Sequence, residues 1–239
     1  MAQTPADVTQ RDFYYSTLKA HLLLERYIPK GAMLFFGDSL VQGLELESLH
    51  RYPVNFGITG DTTAGLLRRL KEYQSLNIAD AVVLESGVND LGFGTRFDKK
   101  IIQNYERMLA QLPRTLDIYV IAIFPVNETV NPEFTGYNKR IKVINTKLSA
   151  LCNANSRCVF IDASDKLEKP DGNLFRALLR PNDAIHLNEI GKSIVLDVIR
   201  SKLKTPQGNI DLQRPLPDPS VSLPSKPILT NRPVSLREE

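Results

Sequence analysis

Ser39, His186 and Asp183 are the residues whose types and spacing could carry out chemistry together. Ser39 stands in a Gly-Asp-Ser-Leu segment (residues 37–40) directly after the apolar run Ala32–Phe36. His186 follows Asp183 by three residues, just before the last predicted helix. One turn of chain can place the Asp183 carboxylate on Nδ1 of His186, which leaves the other ring nitrogen free to take a proton from a serine. The three residues therefore predict a nucleophilic serine with its base.

Two further loops carry groups that could stabilise an anion. Gly60 lies at the entry to a predicted helix, where a backbone N–H can face an incoming anion with the help of the helix dipole. Asn89, in the segment Gly87–Asp90, offers a neutral side-chain donor to a developing oxyanion. Asp38, beside the serine, is predicted to accept backbone N–H bonds and hold its turn. Each segment alone also fits an ordinary turn or helix cap.

The remaining histidines and the cysteines give weaker signals. The chain has three histidines, of which His21 falls on the N-terminal helix and His50 in a polar connection, so both are expected to be structural or surface residues. Cys152 and Cys158 could form a small disulfide in an oxidising compartment or remain as two buried thiols. Two cysteines make a poor zinc site, and no segment has metal-ligand spacing, so no metal is predicted.

Apolar runs predict the strands that must position these loops. The runs do not alternate apolar with polar residues, which is typical of parallel strands buried on both faces. A shorter run, Val54–Phe56, is a candidate for one more strand. The four longer runs are Ala32–Phe36, Ala81–Leu84, Ile118–Phe124 and Cys158–Ile161.

Helix-like segments alternate with these strands. After a loose arm at residues 1–10, a helix is predicted over residues 11–28, and Asn188 is a plausible N-cap of the last helix. Strand and helix in alternation predict an α/β doubly wound sheet, whose functional residues cluster after the carboxyl ends of the strands. The other apolar helical patterns run through Leu66–Leu70, Ile101–Leu112, Ile141–Leu151 and Ile190–Ile199.

Length and composition indicate how the chain is divided into domains. The chain has 239 residues, of which 42% are hydrophobic, and a net charge of +3 carried by scattered basic residues. We expect one domain over residues 31–204, an arm and helix at 1–30 and a proline-rich tail at 205–239 that is extended, disordered or loosely packed. Scattered charge argues against nucleic-acid binding, and no window approaches about 18 consecutive apolar residues, so no transmembrane helix is predicted.

The N-terminal segment bears on localisation. It is polar and lacks the basic-then-apolar layout of a signal peptide, which favours the cytoplasm. A secreted or periplasmic origin stays open if the N-terminus was processed. The sequence does not indicate an oligomeric state.

Four loop segments, in order along the chain, resemble the motifs of the SGNH hydrolases, also called GDSL esterases and lipases: Gly37–Leu40, Asn55–Thr62, Gly87–Asp90 and Asp183–His186. The resemblance covers about residues 31–203 and implies a flavodoxin-like three-layer α/β/α sandwich with a parallel sheet of about five strands. It implies ester hydrolysis with Ser39 as nucleophile, His186 as base and Asp183 as its orienting residue, without metal or cofactor. It also implies oxyanion donors at the Ser39 N–H, the Gly60 N–H and the Asn89 amide.

Two departures leave the substrate class in doubt: Val88 stands where related sequences often have Thr or Gly, and Leu187 where many have Pro. No long lid insertion is visible, so short or medium acyl esters are expected. The segment Gly60–Thr63 resembles members that act on acetylated phospholipids, while others deacetylate sugars or cleave lysophospholipids and thioesters. The pocket wall is predicted from residues in the same loops: Leu40, Leu91, Phe93, Phe124, Pro125 and Ile185.

Two other classes of function remain open. A non-catalytic α/β module could bind a small ligand with the same loops. A flavodoxin-type protein could bind a nucleotide or flavin, but the chain has neither a G-x-x-x-x-G-K-[ST] segment nor a G-x-G-x-x-G opening a helix.

Overall fold

Five short strands form one parallel sheet. The computed structural model describes residues 5–49 and 52–203, with side chains from residue 11 onward. The strand order is β2-β1-β3-β4-β5, and every neighbouring pair is parallel, as predicted. The strands are β1 (Met33–Gly37), β2 (Pro53–Gly57), β3 (Ala81–Glu85), β4 (Asp117–Ile121) and β5 (Cys158–Ile161).

The burial of the central strands explains their composition. All five residues of β1 and of β3 are buried, because helices cover both faces of the sheet. The chain leaves β1 for β2 on one side and then crosses to β3 on the other, so the order reverses between β1 and β3. The crevice outside the carboxyl ends of these two strands is where ligands bind in such sheets.

The predicted strand Ile118–Phe124 runs three residues past the end of β4. Its neighbour β5 ends at Ile161, which is paired with Ile121, so no ladder continues beyond that point. The backbone N–H of Ile123 bonds instead to Oδ1 of Asn145 at 2.9 Å, although the segment stays fully buried. Apolar residues therefore continue past the strand because the loop crosses the core.

The N-terminal helix begins earlier than predicted. Residues 5–10, expected to be a loose arm, are helical, and the α-helix ends at Leu24 before a short 3₁₀ turn, Glu25–Tyr27. Ile28 is extended because Pro29 follows it. The helices are α1 (Pro5–Leu24), α2 (Ser39–Gln42), α3 (Thr63–Leu70), α4 (Val88–Leu91), α5 (Asp98–Gln111), α6 (Tyr137–Asn153), α7 (Ser164–Leu167) and α8 (Glu189–Lys202).

The helices pack as a three-layer α/β/α sandwich around the sheet. Helix α5 contacts both α3 and α6, and α8 contacts β5 and α7. The predicted cap of α8 is confirmed, since Oδ1 of Asn188 accepts the N–H of Gly191 at 3.0 Å. No helix of the described ranges is long and apolar enough to cross a membrane.

A disulfide joins the end of α6 to the start of β5. It links Cys152 and Cys158, whose Cα atoms are 5.1 Å apart. The sequence left this pairing open, and the structure shows the bonded alternative. His50 and the tail predicted from residue 205 lie outside the described residues, so the domain boundaries stay a prediction.

Candidate active site

Ser39 is the first residue of α2 and follows β1 after a tight turn. A Cβ added to Gly37 would lie 2.2 Å from the Glu85 carbonyl oxygen, so only glycine fits where β1 closes against β3. Asp38 is fully buried and its Oδ1 accepts the N–H of Leu40 at 2.9 Å, as predicted for a residue that holds the turn. This turn leaves the Ser39 side chain partly exposed at the carboxyl edge of the sheet.

The structure brings Ser39, His186 and Asp183 together. Oγ of Ser39 lies 2.9 Å from Nε2 of His186, and Nδ1 of the same ring lies 2.7 Å from Oδ2 of Asp183. The other oxygen of Asp183 accepts the backbone N–H groups of Ile185 and His186 at 2.8 and 2.9 Å. The carboxylate therefore fixes both the ring and the loop that carries it.

The hydrogen bonds of Asp183 also set its charge. Partial burial acts to raise the pKa of its carboxyl, but the backbone N–H groups of His186 and Ile185 outweigh it and lower that pKa. Asp183 is thus ionised at neutral pH. An ionised carboxylate on Nδ1 can stabilise the imidazolium that forms when Nε2 takes a proton.

Two backbone donors are free at this edge. Gly60 adopts a φ of +76°, a left-handed conformation that suits glycine, in the turn between β2 and α3. Within the described residues, the N–H groups of Gly60 and Ser39 donate no hydrogen bond. Both are therefore available to a bound group.

Asn89 joins the two loops that carry these donors. It lies in α4, just after β3, and its Nδ2 donates to the Asp61 carbonyl at 2.8 Å. The same nitrogen lies 3.3 Å from Oδ2 of Asp38, a longer and weaker hydrogen bond. The amide predicted as an oxyanion donor is thus placed between the residue after Gly60 and the residue before Ser39.

Sequence reasoning missed Glu85 and did not predict that it and Asp38 are both buried beneath the site. Burial raises the pKa of Asp38 to about 7, and it raises the pKa of Glu85 well above its usual range. Neither carboxylate oxygen of Glu85 has a hydrogen-bond partner among the described residues. A buried carboxyl without partners is more stable with its proton bound. An acidic residue at the end of an apolar strand was the available signal.

A buried ion pair was missed as well. Nε of Arg69 lies 2.7 Å from Oδ2 of Asp61, and both side chains are 1% exposed. Arg69 also donates to the Gly37 carbonyl at 3.0 Å and to the Tyr73 hydroxyl at 3.2 Å. The guanidinium therefore ties the turn before Ser39 to the loop of Gly60.

The six residues predicted to wall a pocket have different environments. Leu40, Leu91 and Phe124 belong to the hydrophobic core, while Phe93 is 58% exposed and Ile185 is half-buried. Pro125 lines a separate cavity of about 660 Å³ against α6, which Ser39 and His186 do not border. The acyl pocket stays a prediction.

His21 has a structural environment, as expected. Its ring packs on Phe56 with centroids 5.1 Å apart, and Nδ1 lies 3.3 Å from the Tyr73 hydroxyl. Burial, assisted by the charge of Arg69, lowers the pKa of His21 to about 4. The ring is therefore neutral at pH 7 and anchors α1 to β2.

A family model describes most of this region. The GDSL-like Lipase/Acylhydrolase family model matches residues 35–194, which is more than half of the chain. The chain belongs to this family. The resemblance and the fold class predicted from the four loop segments are thereby confirmed.

Proteins similar to this GDSL-family chain include an acetylhydrolase subunit and an acetyl xylan esterase. It is 25% identical to the platelet-activating factor acetylhydrolase IB subunit alpha1 of Bos taurus over 226 residues, which covers 91% of this chain and 95% of the relative. A GDSL-like lipase from Bacteroides thetaiotaomicron has a TM-score of 0.66 at 18% identity, covering 78% and 97% of the two chains. The acetyl xylan esterase AlAXEase has a TM-score of 0.57 at 23% identity, covering 71% and 98%.

Proposed function

We propose that the chain is a serine hydrolase that cleaves carboxylic esters through Ser39, His186 and Asp183. The observation that carries this proposal is the continuous hydrogen-bonded line from Ser39 Oγ to His186 Nε2, 2.9 Å, and from His186 Nδ1 to Asp183 Oδ2, 2.7 Å. It lies at the crevice where the strand order reverses. Membership in an acylhydrolase family supports the same class of reaction.

The reaction begins when Nε2 of His186 takes the proton of Ser39 as Oγ adds to the ester carbonyl carbon. The protonated ring gives that proton to the leaving alcohol as the carbon–oxygen bond breaks, and an acyl group remains on Ser39. A water molecule, deprotonated by His186, then attacks the acyl carbon; the acyl–Oγ bond breaks as His186 returns the proton to Ser39, and the acid leaves. Asp183 keeps the ring oriented and stabilises its charge in both steps.

The carbonyl oxygen becomes negative in each step and needs donors. The free N–H groups of Ser39 and Gly60 supply two of them. Asn89 supplies the third by giving up its long 3.3 Å contact with Asp38 while its 2.8 Å bond to the Asp61 carbonyl keeps the amide in place. Losing one such donor typically costs about 10²–10³ in turnover.

The substrate is proposed to carry a short acyl group. The names of the bovine acetylhydrolase subunit and of the acetyl xylan esterase both specify an acetyl group, although the rest of the named substrate differs. This supports a small acyl group and leaves the choice of alcohol to other parts of the site.

Hydrolysis of p-nitrophenyl esters from acetate to dodecanoate tests the proposal. We expect turnover with an optimum at short chains, and its loss in Ser39→Ala. Arg107→Gln, on the exposed face of α5, serves as a folded control outside the reacting groups. If neither the parent nor any variant hydrolyses an ester and a fluorophosphonate does not label Ser39, the non-catalytic binding module replaces this proposal.

A further inference from the structure

A cavity of about 280 Å³ lies between α1, the loop after β2 and α3. Gly60 lines it, so the cavity adjoins the position proposed for the reacting carbonyl oxygen. From α1 come Arg11, Tyr14 and Tyr15, and from α3 comes Arg68. The family model begins at residue 35, so α1 adds a wall that the matched region does not contain.

The charge of this cavity is positive. Arg11 and Arg68 are exposed, and neither guanidinium has a hydrogen bond or an ion pair with another residue in the described parts of the chain. Asp61 also lines the cavity, but the buried guanidinium of Arg69, 2.7 Å away, balances its charge. Among the residues whose side chains the structure describes, two uncompensated cations therefore border one small space.

Helix α1 is held against this loop. Burial, followed by the nearby charge of Asp61, raises the pKa of the Tyr14 hydroxyl, which keeps its proton and lies beside that carboxylate. About two helical turns further along, the His21 ring packs on Phe56 and contacts the Tyr73 hydroxyl. These contacts fix α1 in place, so Arg11 and Tyr15 stand at defined positions beside Gly60.

We propose that this cavity binds an oxyanion, a phosphate or a carboxylate, that the ester substrate itself carries. The proposal rests on the serine-hydrolase function proposed above. A guanidinium presents several N–H donors in a plane that matches such oxyanions, and the Tyr15 hydroxyl adds a further donor. The subsite would select anionic esters among those with a suitable acyl group.

Matched anionic and neutral esters test the proposal. 2-Acetoxyethyl phosphate carries the anion on the alcohol side and mono-p-nitrophenyl glutarate carries it on the acyl side. Their neutral references are 2-methoxyethyl acetate and p-nitrophenyl pentanoate. The variants are Arg11→Gln, Arg68→Gln and the double variant, and Arg107→Gln on the exposed face of α5 is the matched control.

We expect the ratio of kcat/KM for the anionic ester to that for its neutral reference to fall about fivefold for each arginine and roughly 20-fold for both. The fall in the ratio should come from a higher KM for the anionic ester and should shrink with added NaCl. It should appear in only one of the two pairs of esters, and that pair identifies whether the alcohol side or the acyl side of the substrate enters the cavity. An unchanged ratio in both pairs overturns the proposal. An equal fall in Arg107→Gln also overturns it, because the effect would then be general attraction.

Binding without turnover separates this proposal from the proposed reaction. Calorimetric titration of the Ser39→Ala variant with 2-hydroxyethyl phosphate and with glutarate measures the subsite directly. Saturable binding that weakens in the double arginine variant supports the subsite even if no ester is hydrolysed. Hydrolysis of neutral esters with no anion binding and an unchanged ratio leaves the serine hydrolase standing and removes the subsite.

Discussion

Replacing Arg69 with methionine tests how the loops of the site are held together. Methionine keeps the length and much of the volume of the side chain but removes its three hydrogen bonds: to Asp61 at 2.7 Å, to the Gly37 carbonyl at 3.0 Å and to the Tyr73 hydroxyl at 3.2 Å. Asp61, 1% exposed, would keep its charge without a partner or take up a proton. Breaking a buried pair from one side typically costs about 3–5 kcal/mol.

The cost of protonating Asp61 sets an upper limit on the electrostatic part of the stability lost in Arg69→Met. Burial raises the pKa of Asp61, and the charge of Arg69 is the largest influence that lowers it. Binding a proton at pH 7 costs a carboxyl of ordinary pKa, about 3.9, roughly 4 kcal/mol relative to the unfolded chain. In Arg69→Met the folded state therefore binds more protons than the unfolded state, so the variant regains stability as the pH falls. At pH 5 the cost of protonating Asp61 is only about 1.5 kcal/mol.

Urea unfolding of the parent and of Arg69→Met at pH 7 and pH 5 measures both effects. At pH 7 we expect the midpoint to fall by about 2 M, since m is on the order of 2 kcal/mol per molar urea. In the double variant Asp61→Asn/Arg69→Met most of the stability should return, because the amide still accepts the N–H of Thr62 and carries no charge. A loss below about 1 kcal/mol, or a double variant as unstable as Arg69→Met, would refute the reasoning.

Three further predictions concern other parts of the molecule. Asn89→Ala should lower kcat by about 10²–10³ on the best p-nitrophenyl ester and lower the free energy of unfolding by only about 1 kcal/mol, the size of the hydrogen bond lost to the Asp61 carbonyl. Replacing Cys152 and Cys158 by alanine should cost about 2 kcal/mol in urea unfolding, since the bond closes a short loop of sequence separation 6. The pKa of His21, about 4 when folded, lies below that of the unfolded chain, so its contribution to stability is present above about pH 6.5 and is lost towards pH 4. Between pH 6.5 and pH 4 the parent should lose about 1–2 kcal/mol more free energy of unfolding than His21→Gln does, a figure reduced to allow for the partial exposure of the ring.

Each of these predictions has a result that contradicts it. Full activity of Asn89→Ala would remove the amide from the proposed oxyanion donors. Equal stability of the double alanine variant and of the parent, both without reductant, would show that the Cys152–Cys158 bond does not stabilise the fold. An identical dependence of stability on pH in His21→Gln and in the parent would mean that burial does not suppress protonation of this ring.

The sheet could be predicted from sequence because its signal is local. Runs such as Ala32–Phe36 are buried on both faces, and the strand they predict differs from β1 by one residue at each end. The end of β4 was not predictable in this way, since it depends on where β5 stops and on Asn145, which takes over the N–H of Ile123 from 22 residues away. Pairings between distant segments decide such boundaries.

The candidate site likewise has one part that local sequence predicts and another that depends on contacts between distant residues. The loops of Ser39, Asn89 and His186 could be identified because each is a short segment with a distinctive composition. Arg69 gave no sign of its role, because its sequence looks like the polar face of an ordinary amphipathic helix. Its burial depends on the Asp61 carboxylate, eight residues away, and on the Gly37 carbonyl, 32 residues away. The cavity beside Gly60 depends likewise on where α1 docks.

The contact between Ser39 and His186 has a consequence for how the protein would acquire the proposed esterase activity. It joins residues 147 positions apart, one after the first strand and one before the last helix. Nearly the whole sheet must assemble before hydroxyl and imidazole meet, and contacts of such long range form late because closing the intervening chain costs entropy. In refolding from urea, helical circular dichroism should therefore recover before the first ester is cleaved, which makes turnover a readout of the last step of folding.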